Sequence, residues 1–359
     1  MRAFRSVLLL SLLLSVAASA QAVAIKAGLH DAINPFQPGS LATAHLHVDS
    51  NKTNSNPTLP VEGLDLYFPS SAGSYDVVVF LGGLAGDVPV SMYSDMLRRV
   101  AAHGVIVVGV STYQLPLADM LATKMLLVIG WVHQNMNQLM INSTTYAGVQ
   151  ADFSRGIVLS GHSAGGKIVT RFLEVQCSLV RALVLVNPVD GEDPWGILPG
   201  FVIHPPYPVN FTLPLLVLGE GLGPVVAQPG FPACAPAGRN FPRFYNGARP
   251  CKWMINATDF GHADLLDAVY VEFVQATKLC ASNMNASLAQ FSTYRQFIAG
   301  TIVSMTRGAI DSQCDAYNYI QSQSQFPAGI NTLVDSDLTC SSYARNFGVA
   351  CPAGVCNEL

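Results

Sequence analysis

Residues 156–166 read GIVLSGHSAGG, and this stretch decides the fold. The apolar run Gly156–Ser160 leads into Gly161-His162-Ser163-Ala164-Gly165, and a helical pattern follows. The sequence therefore carries G-x-S-x-G between a predicted strand and a predicted helix, where a sharp turn lifts a serine hydroxyl clear of the sheet. The glycines are required because a serine in such a turn has a strained backbone and needs neighbours without bulk.

On both sides of this turn, short β-branched runs alternate with helical patterns. Continuous apolar strands separated by helices are typical of a parallel sheet covered on both faces. The sequence thus predicts an α/β protein of the α/β-hydrolase fold, with a mostly parallel central sheet and helices on both faces. The predicted strands are Asp76–Leu81, Val105–Val110, Gly156–Ser160, Ala182–Val186, Leu213–Leu218 and Lys252–Asn256. The predicted helices are Tyr93–His103, Leu117–Met140, Gly165–Cys177, Ala263–Lys278 and Leu288–Met305.

The two ends of the chain differ in composition from its centre. Arg2 and Arg5 precede an apolar run and a small-residue site ending at Ala20, which is the order of a secretory signal peptide over residues 1–20. An uncleaved signal anchor is the alternative. An N-terminal arm over residues 21–60, with one edge strand at Ala44–Val48, then precedes the hydrolase domain, residues 61–310. A Cys-rich C-terminal extension over residues 311–359 completes the chain. The predicted location is the secretory pathway, with the protein secreted, retained in the endoplasmic reticulum or routed from it to a plastid.

The composition excludes some classes of partner. Of 359 residues, 50% are hydrophobic and only 12% are charged, and the net charge is −4. Nucleic acid is therefore not expected as a partner. The apolar composition fits an apolar ligand or peripheral contact with a membrane, and it fits a well-packed extracellular enzyme equally well. Eight cysteines, all from Cys177 onward, predict disulfides rather than a metal site, and His45 with His47 lacks a third ligand. No metal or cofactor is predicted. Glycosylation sequons begin at Asn51, Asn142, Asn210, Asn256 and Asn285.

A serine hydroxyl is a weak nucleophile and needs a general base within hydrogen-bond reach. His262 is the candidate, because it follows the last predicted strand, where the hydrolase order of serine, acid and histidine places its base. His162, next to Ser163, is expected to point elsewhere and to pack structurally.

The acid that orients the imidazole has two main candidates. Asp190 follows the predicted strand Ala182–Val186, and Glu220 follows the next strand along the chain. Both strands end at the same rim of the sheet. Asp190 is preferred and Glu220 is the alternative, with Asp193 and Asp259 as weaker candidates.

The oxyanion hole is expected to consist of two backbone N–H groups. One belongs to Ala164, directly after the nucleophile, and the other to Leu84, in the Leu81-Gly82-Gly83-Leu84 loop. The paired glycines of this loop allow close approach of the backbone.

Several longer segments resemble the chlorophyllases, α/β-hydrolases that remove the phytol chain from chlorophyll, and the likeness runs from about Leu64 to Met305. It is carried by the GHSAGG segment at 161–166, by NPVDG at 187–191, by GEGLGP at 219–224, by Cys234-Ala235-Pro236 with Phe244-Tyr245, and by DFGHADLLD at 259–267. The resemblance implies Ser163 as nucleophile and His262 as base. It implies chlorophyll as the apolar ester substrate.

The chain departs from the plant members at two positions. They have Arg where Ala164 stands, and their triad aspartate occupies the position of Asn187. A neutral amide cannot stabilise an imidazolium as a carboxylate does, so either Asp190 or Glu220 takes this role or the activity is weak. The signal peptide and the Cys-rich tail resemble an algal rather than a land-plant type.

Three functions follow as hypotheses. The first is cleavage of chlorophyll to chlorophyllide and phytol through an acyl-enzyme on Ser163. The second is a lipase- or polyesterase-like hydrolase of another apolar ester, and the third is a pigment-binding protein that has lost turnover. The Met-rich helix Leu117–Met140 is expected either to line a pigment groove or to pack in the core, and the loop Trp195–Tyr207 is a candidate lid.

Overall fold

The computed structural model describes residues 34–50, 60–112, 118–142, 145–176, 178–193, 195, 197–198, 200–311 and 313–338. The predicted signal peptide lies outside these residues. The described chain folds around one large central sheet. Its strands are β1 (Thr43–Val48), β2 (Gly63–Pro69), β3 (Gly73–Leu81), β4 (Val105–Ser111), β5 (Val149–Ala151), β6 (Ile157–His162), β7 (Val180–Val186), β8 (Leu215–Glu220), β9 (Lys252–Ala257) and β10 (Thr332–Asp337).

The strand order places the Ser163 turn at the centre of the sheet. The order is β1-β2-β4-β3-β6-β7-β8-β9-β10, and the short β5 pairs with β3. Neighbours from β4 to β9 are parallel, whereas β1, β2 and β10 run antiparallel to their partners. Because carboxyl ends of parallel strands meet at one edge, the loops after β3, β6, β7, β8 and β9 converge there.

Helices cover both faces of this sheet. They are α1 (Ser94–Ala101), α2 (Ala118–Asn142), α3 (Ala164–Val175), α4 (Phe241–Gly247), α5 (Ala268–Thr277) and α6 (Leu288–Ala309). Alternate residues of β3 belong to two separate cores, with Val78 and Phe80 on the side of α1, α5 and α6, and Val77 and Val79 on the side of α2, α3 and α4. This alternation follows from the two-residue period of a strand, and it confirms the predicted α/β-hydrolase architecture.

Most predicted elements are found, with shifted ends. The strand predicted to end at Leu218 extends to Glu220, and the helix predicted from Ala263 begins only at Ala268, because residues 261–266 form turns. Strands β2 and β5 and the short helix α4 were not predicted. Strand β10 lies in the segment interpreted as an extension, and it pairs with β9.

The Met-rich helix α2 packs mainly as core. Met125, Met136 and Met140 are buried with β3 and β4, whereas Met120 is exposed. This supports the core interpretation for the greater part of the helix. In the described part of the chain, no helix is long and apolar enough to cross a bilayer.

Candidate active site

Ser163 occupies the turn between β6 and α3 with a strained backbone. Its φ is 56° and its ψ is −128°, a left-handed region that a serine rarely adopts. A Cβ on Gly161 would lie 2.6 Å from the backbone of Gly165, and a Cβ on Gly165 would lie 2.5 Å from the carbonyl oxygens of Leu81 and Gly82. Only glycine fits at these two positions, and α3 can therefore approach the end of β3 closely.

Ser163, His262 and Glu220 form a continuous hydrogen-bonded line. The Ser163 hydroxyl lies 2.8 Å from Nε2 of His262, and Nδ1 of His262 lies 2.7 Å from Oε1 of Glu220. When the Glu220 carboxylate accepts, Nδ1 carries the ring proton and Nε2 is free to accept the serine proton. All three side chains are buried, from 1% exposed for Glu220 to 8% for Ser163. The arrangement can activate the hydroxyl for attack on a carbonyl carbon.

Burial sets the electrostatics of this line. It lowers the pKa of the His262 imidazole to about 4. Burial, aided by the charge of Asp264, raises the pKa of the Glu220 carboxyl well above its ordinary value. Because the two groups share one proton between Oε1 and Nδ1, they titrate as a pair. The imidazole of His262 is therefore neutral at neutral pH.

A rigid turn after β9 presents His262. Asp264 accepts hydrogen bonds from the Gly261 N–H at 2.7 Å, from the Ser282 hydroxyl and from the Asn283 N–H at 3.1 Å. A Cβ on Gly261 would lie 1.8 Å from the carbonyl oxygen of Ala281, so the two segments touch through backbone. The turn that carries the base is thus fastened to the segment after α5.

A disulfide joins that segment to the loop after Glu220. It links Cys234 to Cys280, which are 46 residues apart in sequence. The loop from Glu220 also folds back on itself, because the Ala235 N–H donates to the carbonyl of Gly223. The disulfide therefore ties the loop that follows Glu220 to the segment that holds the turn of His262.

Asp190, the preferred acid at the sequence level, does not contact His262. Its carboxylate accepts from Arg243 Nε at 2.8 Å and from the N–H groups of Val202 and Ile203 at 2.9 and 3.1 Å, and also from the N–H of Gly191. These contacts direct it toward the base of the loop after residue 190. The order of preference is therefore corrected: Glu220, the alternative, reaches the imidazole, and Asp190 is an anchor for the loop.

Asn187 lies at the end of β7, between the ends of β6 and β8. It has a φ of 48° and is 1% exposed. The Tyr294 hydroxyl lies beside its amide, although among the described residues neither amide atom reaches good hydrogen-bond geometry. The position directly after β7 thus presents a neutral side chain, and the carboxylate that contacts His262 lies at the end of the neighbouring strand β8.

The two segments expected to form the oxyanion hole lie next to each other. Leu84 begins a 3₁₀ turn with a φ of 48°, and Ala164 is the first residue of α3. The close contact of Gly165 with the carbonyls of Leu81 and Gly82 brings the two segments together. The roles of the Leu84 and Ala164 N–H groups remain a proposal.

Two further polar side chains near the serine contact each other. Tyr93, which precedes α1, and His162 form a 2.9 Å hydrogen bond across 69 residues of sequence. The expectation that His162 turns away from the serine hydroxyl agrees with this contact. Tyr93 was not predicted, since nothing in its local sequence distinguishes it from a core tyrosine. Among the described residues, no group of three His, Cys, Asp or Glu side chains is arranged to hold a metal ion.

Comparisons with known proteins agree with this geometry. The family model described as Chlorophyllase matches residues 31–336. Chlorophyllase-1 of Arabidopsis thaliana is 28% identical over 283 residues, which cover 76% of this chain and 83% of that protein. Chlorophyllase-2 of the same plant is 27% identical, covering 77% of this chain and 89% of its own. "Chlorophyllase-1, chloroplastic" of Citrus unshiu is 26% identical, covering 81% of this chain and 85% of its own.

Proposed function

The chain belongs to the chlorophyllase family, and from this premise we propose that it cleaves the ester bond of chlorophyll to release chlorophyllide and phytol. The 2.8 Å contact between the Ser163 hydroxyl and Nε2 of His262 carries the proposal. The relatives' names support chlorophyll as the substrate. Glu220 is proposed as the acid of the triad.

The reaction proceeds by two acyl transfers. Ser163 Oγ attacks the ester carbonyl carbon while its proton passes to Nε2 of His262. The tetrahedral intermediate collapses, the bond to the phytol oxygen breaks, and that oxygen takes the proton from Nε2. Water then attacks the acyl-enzyme, gives one proton to His262, and the free acid leaves as Ser163 Oγ recovers the proton.

Three groups stabilise the charges that develop. Glu220, 2.7 Å from Nδ1, stabilises the imidazolium of His262. The N–H groups of Leu84 and Ala164 are proposed to donate to the carbonyl oxygen as it becomes an oxyanion. A low-polarity, buried site strengthens all these interactions relative to water.

Exposed apolar side chains surround this edge of the sheet and support an apolar substrate. They lie in the loops after β3, β7 and β8, and we call them the apolar rim: Leu84, Trp195, Ile197, Leu198, Val225, Val226 and Phe231. Such a patch beside a polar site is typical of proteins that take an apolar ligand from lipid. We therefore propose that the apolar rim contacts the phytyl chain and makes peripheral contact with the membrane that holds the pigment.

The central experiment compares three proteins on chlorophyll a, with separation of chlorophyllide and phytol as the readout. Wild type is expected to form both products, and Ser163→Ala is expected to form none. Ser160→Ala is the matched control, because Ser160 is a buried serine on β6, the strand that leads to Ser163, and its hydroxyl has no hydrogen-bond partner among the described residues. Hydrolysis of p-nitrophenyl esters without any conversion of chlorophyll would instead favour the lipase-like hypothesis. Chlorophyll that binds stoichiometrically and is never cleaved would favour a pigment-binding protein.

The role of the apolar rim is tested separately, with chlorophyll presented in phosphatidylcholine vesicles. Ile197→Asp places a charge at a side chain that is 79% exposed, and it is expected to raise KM and weaken vesicle binding. Val175→Asp, at the last residue of α3 and so at the opposite edge of the sheet, is the control and should change neither. Equal effects of the two substitutions would contradict the proposed contact.

A further inference from the structure

We propose that Tyr93 and His162 form a positioning bridge, which holds the oxyanion loop and the turn of the base at a fixed separation around Ser163. The inference rests on the proposed function and extends it to residues that touch no substrate. The bridge runs from the Gly83 N–H through the Tyr93 hydroxyl and the His162 ring to the backbone carbonyl of His262. Its three contacts measure 2.9, 2.9 and 3.0 Å.

The direction of every hydrogen bond in the bridge follows from its ends. The His262 carbonyl can only accept, so Nε2 of His162 must carry the ring proton and donate it. Nδ1 of the neutral ring is then an acceptor, and the Tyr93 hydroxyl donates to it. The Tyr93 oxygen in turn accepts the N–H of Gly83. Each group thus has one role, and the chain of donors has a single consistent arrangement.

His162 is held neutral in this bridge. Burial and the neighbouring His262 ring lower the pKa of His162 well below its ordinary value. A second ring proton on Nδ1 would face the Tyr93 oxygen, which already accepts from Gly83, and it would leave the tyrosine proton without its acceptor. The neutral state matters because the rings of His162 and His262 lie 4.7 Å apart, centroid to centroid. A charge on one ring would oppose protonation of the other during catalysis.

The bridge connects three parts of the site whose relative positions determine the reaction: the loop of Gly83 and Leu84, the turn of Ser163 and the turn of His262. Gly83 directly precedes Leu84, whose N–H is proposed to bind the oxyanion, so the bond to the Gly83 N–H anchors the chain one residue before that group. His162, the last residue of β6, directly precedes Ser163. The carbonyl of His262 belongs to the residue that accepts the serine proton. Tyr93 itself is fully buried, with its ring 5.1 Å from that of Phe80.

The chemical consequence is confined to the transition state. Loss of the Tyr93 hydroxyl leaves a buried N–H at Gly83 and a buried Nδ1 at His162 without partners, and both segments can then shift by a fraction of an ångström. Misplacement on this scale weakens the oxyanion contact and the proton transfer, which act only as the reaction proceeds. Substrate binding in the ground state does not depend on either. The turnover number should therefore fall, and KM should not change.

The experiment compares Tyr93→Phe with Tyr67→Phe, a matched control. Tyr67 is also fully buried, and its hydroxyl bonds at 2.8 Å to Ser94, the residue after Tyr93, so its loss disturbs the same start of α1 without removing any contact of the bridge. Two readouts are used: kcat and KM on p-nitrophenyl butyrate, and the rate at which a p-nitrophenyl alkylphosphonate phosphonylates Ser163. Tyr93→Phe is expected to lower kcat and the phosphonylation rate by about tenfold to a hundredfold, with KM within about twofold of wild type. Tyr67→Phe is expected to leave all three unchanged, although it too lowers the melting temperature.

Substitutions at His162 test the bridge by rescue. Glutamine has an amide oxygen that can accept from Tyr93 and an amide N–H that can donate to the His262 carbonyl, whereas leucine has neither. His162→Gln should retain most of the phosphonylation rate, and His162→Leu should lose as much as Tyr93→Phe. Because the two residues act as one chain, the losses in Tyr93→Phe/His162→Leu should not add.

Several results would overturn the bridge. These are a Tyr93→Phe enzyme as active as Tyr67→Phe, additive losses in the double variant, or no phosphonylation of Ser163 in wild type. A wild type that is phosphonylated, and whose rate depends on Tyr93 as expected, but that leaves chlorophyll intact would support the bridge and refute the proposed substrate. The failure of one proposal is therefore distinguishable from the failure of the other.

Discussion

Replacing Glu220 by glutamine is the sharpest test of the assembled triad. The substitution preserves the size of the side chain and removes only the charge, at a contact of 2.7 Å with Nδ1 of His262. The glutamine amide can donate its N–H to Nδ1, which forces the ring proton onto Nε2 and prevents this atom from accepting the serine proton. If the amide oxygen faces Nδ1 instead, the imidazolium still lacks a counter-charge.

The expected loss is large because the site is buried. Replacing the carboxylate of a Ser–His–acid triad by an amide costs about 10⁴-fold in turnover in a well-studied serine protease. Glu220 is 1% exposed, and among the described residues its second oxygen, Oε2, has no hydrogen-bond partner that could take its place at His262. We expect kcat to fall by about 10³- to 10⁴-fold, which corresponds to about 4–5 kcal/mol at 1.36 kcal/mol per tenfold change.

Asp190→Asn is the matched comparison, because it is the same chemical change at the other candidate acid. Its carboxylate binds Arg243 and the N–H groups of Val202 and Ile203, so the substitution should lower the free energy of unfolding by about 2–4 kcal/mol. Turnover per folded molecule should change by less than about tenfold, because no contact with His262 is lost.

The assay measures kcat on p-nitrophenyl butyrate, normalised by active-site titration so that unfolded protein does not count. Urea denaturation of each variant gives the stability change independently. An Asp190→Asn enzyme that loses about 10³-fold while Glu220→Gln remains active would show that the hydrogen-bonded line to Glu220 is not the catalytic one.

Three further outcomes are expected. In Glu220→Gln the acid-side limb of the pH profile of kcat/KM should move to lower pH than in wild type, because burial lowers the pKa of His262 and the amide supplies no negative charge to oppose this effect. An unchanged limb would show that the Glu220–His262 pair does not set its position. Gly165→Ala should lower both activity and melting temperature, since its Cβ would lie 2.5 Å from two carbonyl oxygens at the end of β3, and wild-type kinetics in this variant would contradict the close packing. Replacing Cys234 and Cys280 by serine should lower the free energy of unfolding by about 2–4 kcal/mol in urea denaturation, through the 46-residue separation that the bond closes, whereas an unchanged stability would show that other contacts hold the loop.

The sequence is sufficient to predict that Ser163 and His262 meet at one edge of the sheet, because both positions depend on local signals. Ser163 lies in a turn whose glycines are required by backbone contacts within a few residues or with the adjacent strand. His262 follows the last parallel strand, where the order of the strands alone brings it to the correct edge. The periodicity of the buried strands also predicts the parallel centre of the sheet.

The acid could not be chosen in this way, because the choice depends on partners that are distant in sequence. Asp190 and Glu220 both follow strands that end at the same rim. Asp190 is drawn away by Arg243, which is 53 residues further along the chain, and Glu220 meets His262 across 42 residues. Strand β2 was also missed. It is buried on both faces, and no predicted helix precedes it to suggest a strand there.

The antiparallel strand β10 has a consequence for how the protein behaves at high concentration. It covers the outer side of β9, the strand that leads to His262, and replaces an apolar edge with one whose sequence includes Asp335 and Asp337. Acidic residues on a short edge strand discourage the sheets of two molecules from pairing edge to edge. A chain shortened to residue 310 would leave the backbone groups of β9 open to such joining, and we expect it to precipitate from solution before any loss of catalytic chemistry could be measured.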